Sequence, residues 1–362
     1  MPDWRWLHSA VRSASLSSSA VFFHLLGAIV ILCSLMNSAQ AQSPANATWS
    51  VTIVLPPKVV AGKPATLAVF GADGKLASGV TVEVARDLRV MTDTTGRATF
   101  TAPSDGGVVI AKASGRAAAA LVDPDTPAGD SQTISVAPVI SLKDAFSICG
   151  TRFRGEADAN RVKINEERTL ILAASPECLV VQPGPKVVAG PVSISVQTGE
   201  AHWAAPTTVV SLEFESPQPA LVPEKKSRLV VRADGTDQPL RIVVENETPG
   251  VLEFLRGDLQ RVRTSGGGRN ASTIDVQAIR SGDFSFHARL LPPPDASIAE
   301  RYLRAAVPFA SKDLQHRLQS LADRLARHPR DADKVQHDLE QIVSSTIAGD
   351  LRTLLESANA AL

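Results

Sequence analysis

Aromatic side chains are scarce in this chain of 362 residues: they make up 4%, with a single tyrosine and four tryptophans. A sugar-binding platform of stacked rings is therefore poorly supplied. Excess charge is missing too, since 37 Lys and Arg oppose 37 Asp and Glu, which gives no reason to expect DNA, RNA or acidic lipid as a partner. Three cysteines are too few for a disulfide-built miniprotein, and 23 Gly and 24 Pro without a short repeat exclude a collagen-like chain. A hydrophobic share of 44% excludes disorder. What remains is a folded protein long enough for two or three cores.

Local catalytic signatures are also lacking. There is no Gly-x-Ser-x-Gly elbow, His-Glu-x-x-His pair, phosphate loop or dinucleotide fingerprint. Gly266-Gly-Gly268 is followed by neither Lys-Ser/Thr nor a helix start, so it reads as a turn. Beyond residue 41 the histidines are His202, His287, His316, His328 and His337, none at a spacing diagnostic of a metal ligand or a general base. These patterns point to a non-enzymatic protein without cofactors, although catalytic groups can converge from distant positions.

The first segment is polar, with Arg5 and Arg12 opposed only by Asp3, and leads into the apolar run from Val21 to Met36. Ala39-Gln40-Ala41 then supplies the small-x-small pattern, so residues 1–41 read as a secretory signal cut before Gln42. The alternative is an uncleaved anchor, but a run interrupted by His24 and Gly27 is shorter than the roughly 20 residues that span a bilayer. Cleavage removes Cys33 and leaves no membrane span. It also leaves Cys149 and Cys178, an even pair that reads as a disulfide in an exported chain; two separate buried thiols are the alternative. The expected location is the periplasm or the cell exterior.

From Trp49 to Val122 the apolar residues alternate or form short runs. Val51, Ile53 and Leu55 alternate, as do Val80, Val82 and Val84, and Val108-Val-Ile110 is compact. Turn signals separate them at Ala61-Gly-Lys-Pro64, Ala72-Asp-Gly74, Thr94-Thr-Gly96 and Ser104-Asp-Gly-Gly107, which argues for a β-sandwich. The stretch Ala61–Val69, Asp73-Gly74, Val80–Val84 and Thr92-Asp-Thr-Thr-Gly-Arg-Ala-Thr-Phe100 resembles the bacterial immunoglobulin-like repeats of invasin-type surface proteins. That resemblance implies an adhesive or spacer module over residues 42–123 and brings no catalytic residue.

Residues 124–133 read as a linker, opening with Pro124-Asp-Thr-Pro127. Asp123, Asp125 and Asp130 sit between two expected sandwiches, where hard oxygen ligands could hold calcium; the prolines alone also explain a linker. Farther on, Ile148-Cys-Gly-Thr-Arg-Phe153, Asn160-Arg-Val-Lys-Ile164, Thr169-Leu-Ile-Leu172 and Val188–Val196 resemble an IPT/TIG domain over residues 134–199. In such a sandwich Cys149 would end an early strand and Cys178 would lie on a neighbouring one, which fits a cross-strand bridge.

A third β pattern follows over residues 200–292: Val210, Leu212 and Phe214, then Ile274, Val276 and Ala278, then Phe284, Phe286 and Ala288, each set alternating with polar residues. Trp203 is expected in core or inter-domain packing. In residues 293–362, Asp295 can cap a helix running through Ile298, Tyr302 and Ala306 to a break at Pro308. Leu314, Leu318, Leu321 and Leu325, then Val335, Leu339 and Ile342, predict an αα-hairpin with one apolar stripe per helix. These helices either pack on each other or on the last sandwich, or else form an oligomerisation element across residues 311–362.

The expectation is thus a mainly β chain of three tandem immunoglobulin-like sandwiches followed by a helical hairpin. Its expected role is that of a non-catalytic exported envelope protein, a spacer, scaffold or adhesion-type module whose partner is another envelope or extracellular protein. The alternatives are an assembly or oligomerisation factor acting through the C-terminal helices, and accessory domains of a hydrolytic enzyme system. Asn46, Asn246 and Asn270 each begin an Asn-x-Ser/Thr triplet, which matters only in a glycosylating host.

Overall fold

A computed structural model describes residues 51–362 apart from 86, 87, 127–132, 219, 220, 256 and 258; the expected signal and Trp49 lie outside the described residues. The chain is mainly β, with immunoglobulin-like sandwiches and four C-terminal helices.

In the first sandwich, strands Thr52–Val54, Pro64–Phe70 and Arg97–Thr101 face a second sheet ordered Lys58–Val60, Arg116–Asp123, Gly107–Ala113, Thr81–Val84 and Leu88–Met91. Leu67, Val69, Val82, Val84, Phe100 and Val109 fill the space between them. The Thr92–Phe100 motif shows how local chemistry sets the fold. Thr92 Oγ1 accepts from Val80 N and donates to Ala77 O, and Asp93 Oδ1 accepts from the backbone of Thr95 and Arg97. Gly96 at φ +72° closes the turn where a Cβ would strike Leu76, and Ala98 and Phe100 enter the core.

The second sandwich pairs Leu170–Ala174, Cys178–Gln182, Phe146–Cys149 and Ser135–Val136 in one sheet. Its other sheet holds Glu167–Arg168, Asn160–Ile164, Gly190–Thr198 and the long strand Ala201–Gln218, with Val139–Ser141 added in parallel. Phe153 meets Trp203 edge-on in its core, ring centroids 5.5 Å apart. Asn160 is buried because its amide has backbone partners at Arg154 and Glu156 and a side-chain partner in Thr198. The third sandwich packs Lys226–Asp234, Ala271–Ala278 and Leu252–Phe254 over Leu259–Arg263, Arg241–Asn246 and Phe286–Leu290.

The modules share sheets. Strand Pro64–Phe70 pairs with Leu170–Ala174 at Thr66 and Ala174, so one sheet runs from the first sandwich into the second. Strand Ala201–Gln218 pairs with Gly190–Thr198 through residues 201–209 and with Lys226–Asp234 from 211 onward. Its first half, although beyond the expected boundary between 199 and 200, thus belongs to a sheet of the second sandwich. The turn at Gly199-Glu200 joins two strands of one hairpin and does not separate two modules.

The C-terminal region holds four helices, the expected first helix α1 (Ala296–Ala306), the expected hairpin α2 (Lys312–Arg327) and α3 (Ala332–Ser345), and a further helix α4 (Asp350–Ala360). The Asp295 side chain caps α1 by accepting from the backbone of Ser297 and Ile298. Leu303, Leu318, Leu325, Leu339, Leu354 and Leu355 share one core with Leu121, against which Val108, Ile110 and Ala119 also pack. Burying each such leucine contributes about 1.5–3 kcal/mol. The helices thus cover the outer face of the hairpin Gly107–Ala113/Arg116–Asp123, in the first sandwich. They also reach the last sandwich through polar contacts, Arg261 to Glu340 and Arg241 to the backbone oxygen of Leu362. The helices pack on each other and touch the last sandwich, as expected; their docking on the first sandwich was not expected, and its cause is an apolar outer face that needs a cover.

At the first inter-module contact, a Cβ on Gly155 would collide with the Pro64 carbonyl, and the Gly155 oxygen accepts from Thr66 Oγ1 at 2.6 Å. Gly155→Ala is expected to lower the urea-unfolding free energy by about 3 kcal/mol, since neither backbone can yield without breaking the shared sheet.

Candidate functional site

The turn between Leu170–Ala174 and Cys178–Gln182 is built by Ser175. Its Oγ accepts from Cys178 N at 2.9 Å and donates to Lys58 O at 2.6 Å, tying the turn to the first sandwich. Cys149 and Cys178 stand directly opposite on adjacent antiparallel strands and form a disulfide, with Cα atoms 4.2 Å apart. Gly150 N and Phe153 N donate to the carbonyls of Glu177 and Pro176. The bridge therefore pins the turn that presents Glu177.

Glu177 meets Asp123 at the end of strand Arg116–Asp123, and the two carboxyls share a hydrogen bond. Arg301 of α1 pairs with Asp123, and Lys58 Nζ lies 4.0 Å from it. One side chain from the second sandwich, two from the first and one from the helices thus converge. Burial tends to raise the Asp123 pKa, but hydrogen bonds from Arg301 and Glu177 and the charges of Arg301 and Lys58 outweigh it and hold the carboxyl below its ordinary range. Burial, then the hydrogen bond and charge of Asp123, push Glu177 up to about 7, against the pull of Lys58 and Arg301. One proton between two carboxyls is the arrangement of an acid–base pair. Here, however, the pair is wedged between three modules and lines none of the cavities of 410, 720 and 710 Å³. It acts as a clasp.

Of the three aspartates weighed for calcium, Asp123 is engaged by Arg301 and Lys58, Asp125 pairs with Lys63 at 2.8 Å, and Asp130 lies outside the described residues. Among the described residues no three His, Cys, Asp or Glu side chains are grouped to hold a metal ion. The histidines do not converge: His287 lies 3.6 Å from Asp144, whereas His202 and His316 are exposed on separate modules. Asn246 and Asn270 are buried, with their amides donating to backbone carbonyls. Tyr302 anchors α1 by donating to Ala119 O at 3.2 Å. Sequence reasoning missed Glu177, Lys58 and Arg301, for no local pattern links them; the one available signal was an acid directly preceding a bridged cysteine.

Residues 133–211 match the IPT/TIG domain family model, and the match ends where the long strand leaves the second sandwich. An IPT/TIG immunoglobulin-like domain is therefore present. No curated protein matches the chain. Among solved structures, the I9-I11 tandem from titin is 12% identical, covering 67% of this chain and 95% of its own, with a TM-score of 0.21. The Plexin A4 full extracellular region is 11% identical, covering 66% and 32%, with a TM-score of 0.28. The Bacteroides ovatus mixed-linkage glucan utilization locus protein SGBP-B, in complex with a mixed-linkage heptasaccharide, is 11% identical, covering 66% and 73%, with a TM-score of 0.24. These likenesses are of fold alone.

Because Glu177 holds a proton in the folded state that the unfolded chain releases above pH 4.5, stability falls as pH rises from there to about 7 and then levels off. The lowered Asp123 pKa has the opposite sign: its contribution is present above the ordinary carboxylate range and is lost as pH falls through its folded value. For a half-buried carboxyl the Glu177 effect amounts to about 1–2 kcal/mol. Glu177→Gln, which keeps a donor towards Asp123, is expected to flatten the profile between about pH 5 and 7 in urea unfolding at stepped pH. Reducing the disulfide, which closes a separation of 29 residues, is expected to cost about 3–4 kcal/mol, read as a lower urea midpoint with and without reductant.

Proposed function

We propose that the protein is a non-catalytic exported scaffold of the cell envelope, in which immunoglobulin-like modules hold protein-binding surfaces at fixed separations. Immunoglobulin-like and TIG domains are commonly scaffold or binding modules. The observation that carries the reading is the sharing of sheets: two sheets each cross a module boundary, which makes a stiff array of beads that would otherwise swivel. The disulfide and the immunoglobulin-like modules fit an extracellular location. Among the described residues no helix is long and apolar enough to cross a membrane. The reading in which helices within 311–362 drive assembly has less support, because Leu318, Leu321, Leu325, Leu339 and Leu355 of their apolar stripes are already buried within this chain.

Expression of the full chain in a bacterium with an intact secretion pathway tests the reading. The expected product begins at Gln42, fractionates with the envelope and carries Cys149 and Cys178 oxidised, as read by intact-mass spectrometry with and without thiol alkylation. A full-length reduced protein retained in the cytosol, or specific turnover in an unbiased substrate screen, overturns it.

A further inference from the structure

The second sandwich has an outer face that nothing in the described chain occupies. There a groove of 410 Å³ is lined by Arg161, Lys163, Arg168, Ser195, Gln197 and His202, and no carboxylate lines it. The register explains the clustering. Lys163 stands opposite Arg168 and Ser195, Arg161 opposite Gln197, and Gln197 opposite His202, so all six side chains share one face. The intervening Val162, Ile164, Ile194, Val196 and Trp203 point into the core.

Like charges directly opposite in a sheet are destabilising, yet Lys163 and Arg168 are paired in this way. Their neutralisation is slight: Lys163 lies 3.5 Å from Glu166, whose side chain is 97% exposed. Among the described residues neither the Arg161 nor the Arg168 guanidinium has a hydrogen-bond or ion-pair partner. The nearby Asp158 is taken by Arg97 at 2.8 Å. Three cations are thus gathered on a rigid sheet with only the exposed Glu166 carboxylate paired to them, an arrangement that a bound anion would stabilise.

Spacing and composition select the anion. Arg161 and Lys163 are two residues apart on one strand, about 6.7 Å, the repeat at which an extended polypeptide with acidic residues at every second position presents its carboxylates. Arginine takes such carboxylates in bidentate fashion, and Ser195, Gln197 and His202 supply further polar partners. The short strand Glu167–Arg168 ends the sheet, so a chain can lie along its open side. No Phe, Tyr or Trp lines the groove, which leaves it without the large ring faces on which sugars and single-stranded nucleic acids stack.

We propose that this groove binds an extended acidic polypeptide segment, with one carboxylate seated on Arg161 and the next, two residues on, shared by Lys163 and Arg168. The proposal rests on the protein-binding reading above and names its site and the chemistry of its partner. It is tested with the full mature chain and a fluorescein-labelled twelve-residue peptide of alternating Glu and Ser, by anisotropy at rising salt. Saturable binding that weakens with salt is expected, together with a loss of about tenfold for Arg161→Gln or Arg168→Gln and no change for Arg330→Gln on the helices. Without ligand, Arg168→Gln is expected to melt no lower than the parent, since it removes a like-charge pair. Absence of saturable binding by the parent, binding unchanged in both groove variants, or binding of a heparin tetrasaccharide or oligo-dT through these arginines without the peptide each overturns the proposal. Any of these failures leaves the export and disulfide measurement intact, so the two readings fail separately.

Discussion

The hairpin Gly107–Ala113/Arg116–Asp123 is apolar on both faces, and much of the architecture follows from keeping water off both. Val109, Ala111, Ala120 and Val122 close the first sandwich from within, while Val108, Ile110, Ala119 and Leu121 face outward. An antiparallel sheet ordinarily leaves one face to solvent. Here the C-terminal helices supply the second cover, so the last segment of the chain returns to the first module. That return places Arg301 beside Asp123 and Lys112 beside Asp350. Polar contacts follow from apolar docking and gain strength from the water it excludes.

The clasp joins covalent and noncovalent constraints in one place. The disulfide fixes the turn at 175–178, the turn fixes Glu177, and Glu177 shares its proton with the carboxylate that also holds Arg301. Glu177, Asp123 and Arg301 thus form a continuous line of contacts from the bridge to the helices. Each link is short and partly buried, and loss of one leaves a desolvated charge at the next. Such a junction resists the swivelling usual between modules in a chain.

Local chemistry was legible in the sequence, and long-range docking was not. The Thr92–Phe100 turn, the Asp295 cap and the alternating strands depend on neighbours within a few residues, and each is found where the residues point. The Cys149–Cys178 pairing was legible by arithmetic, because only two cysteines follow the expected signal. The expected boundary at 199/200 falls at the tip of a hairpin, since Gly199, at φ +58°, marks a turn equally well within a sheet and between modules. The continuous apolar run Ala117–Val122 carried an unread signal: residues of both parities are apolar, which is the mark of a strand covered on both sides. The carboxyl clasp left no such trace, since Asp123 stands in an acidic stretch and its partners come from distant segments.

Use of surfaces limits where a partner can act. The first sandwich gives one sheet edge to the second and one outer face to the helices, and the third sandwich gives a strand to the second and arginines to the helices. The helices turn their leucines inward, and Phe309 and Ile347 are exposed in the segments between them. The outer face of the second sandwich keeps both its solvent access and a charge imbalance that the fold itself does not use. A stiff array built from shared sheets would hold that face in a constant orientation, so that ordering it on binding costs little entropy.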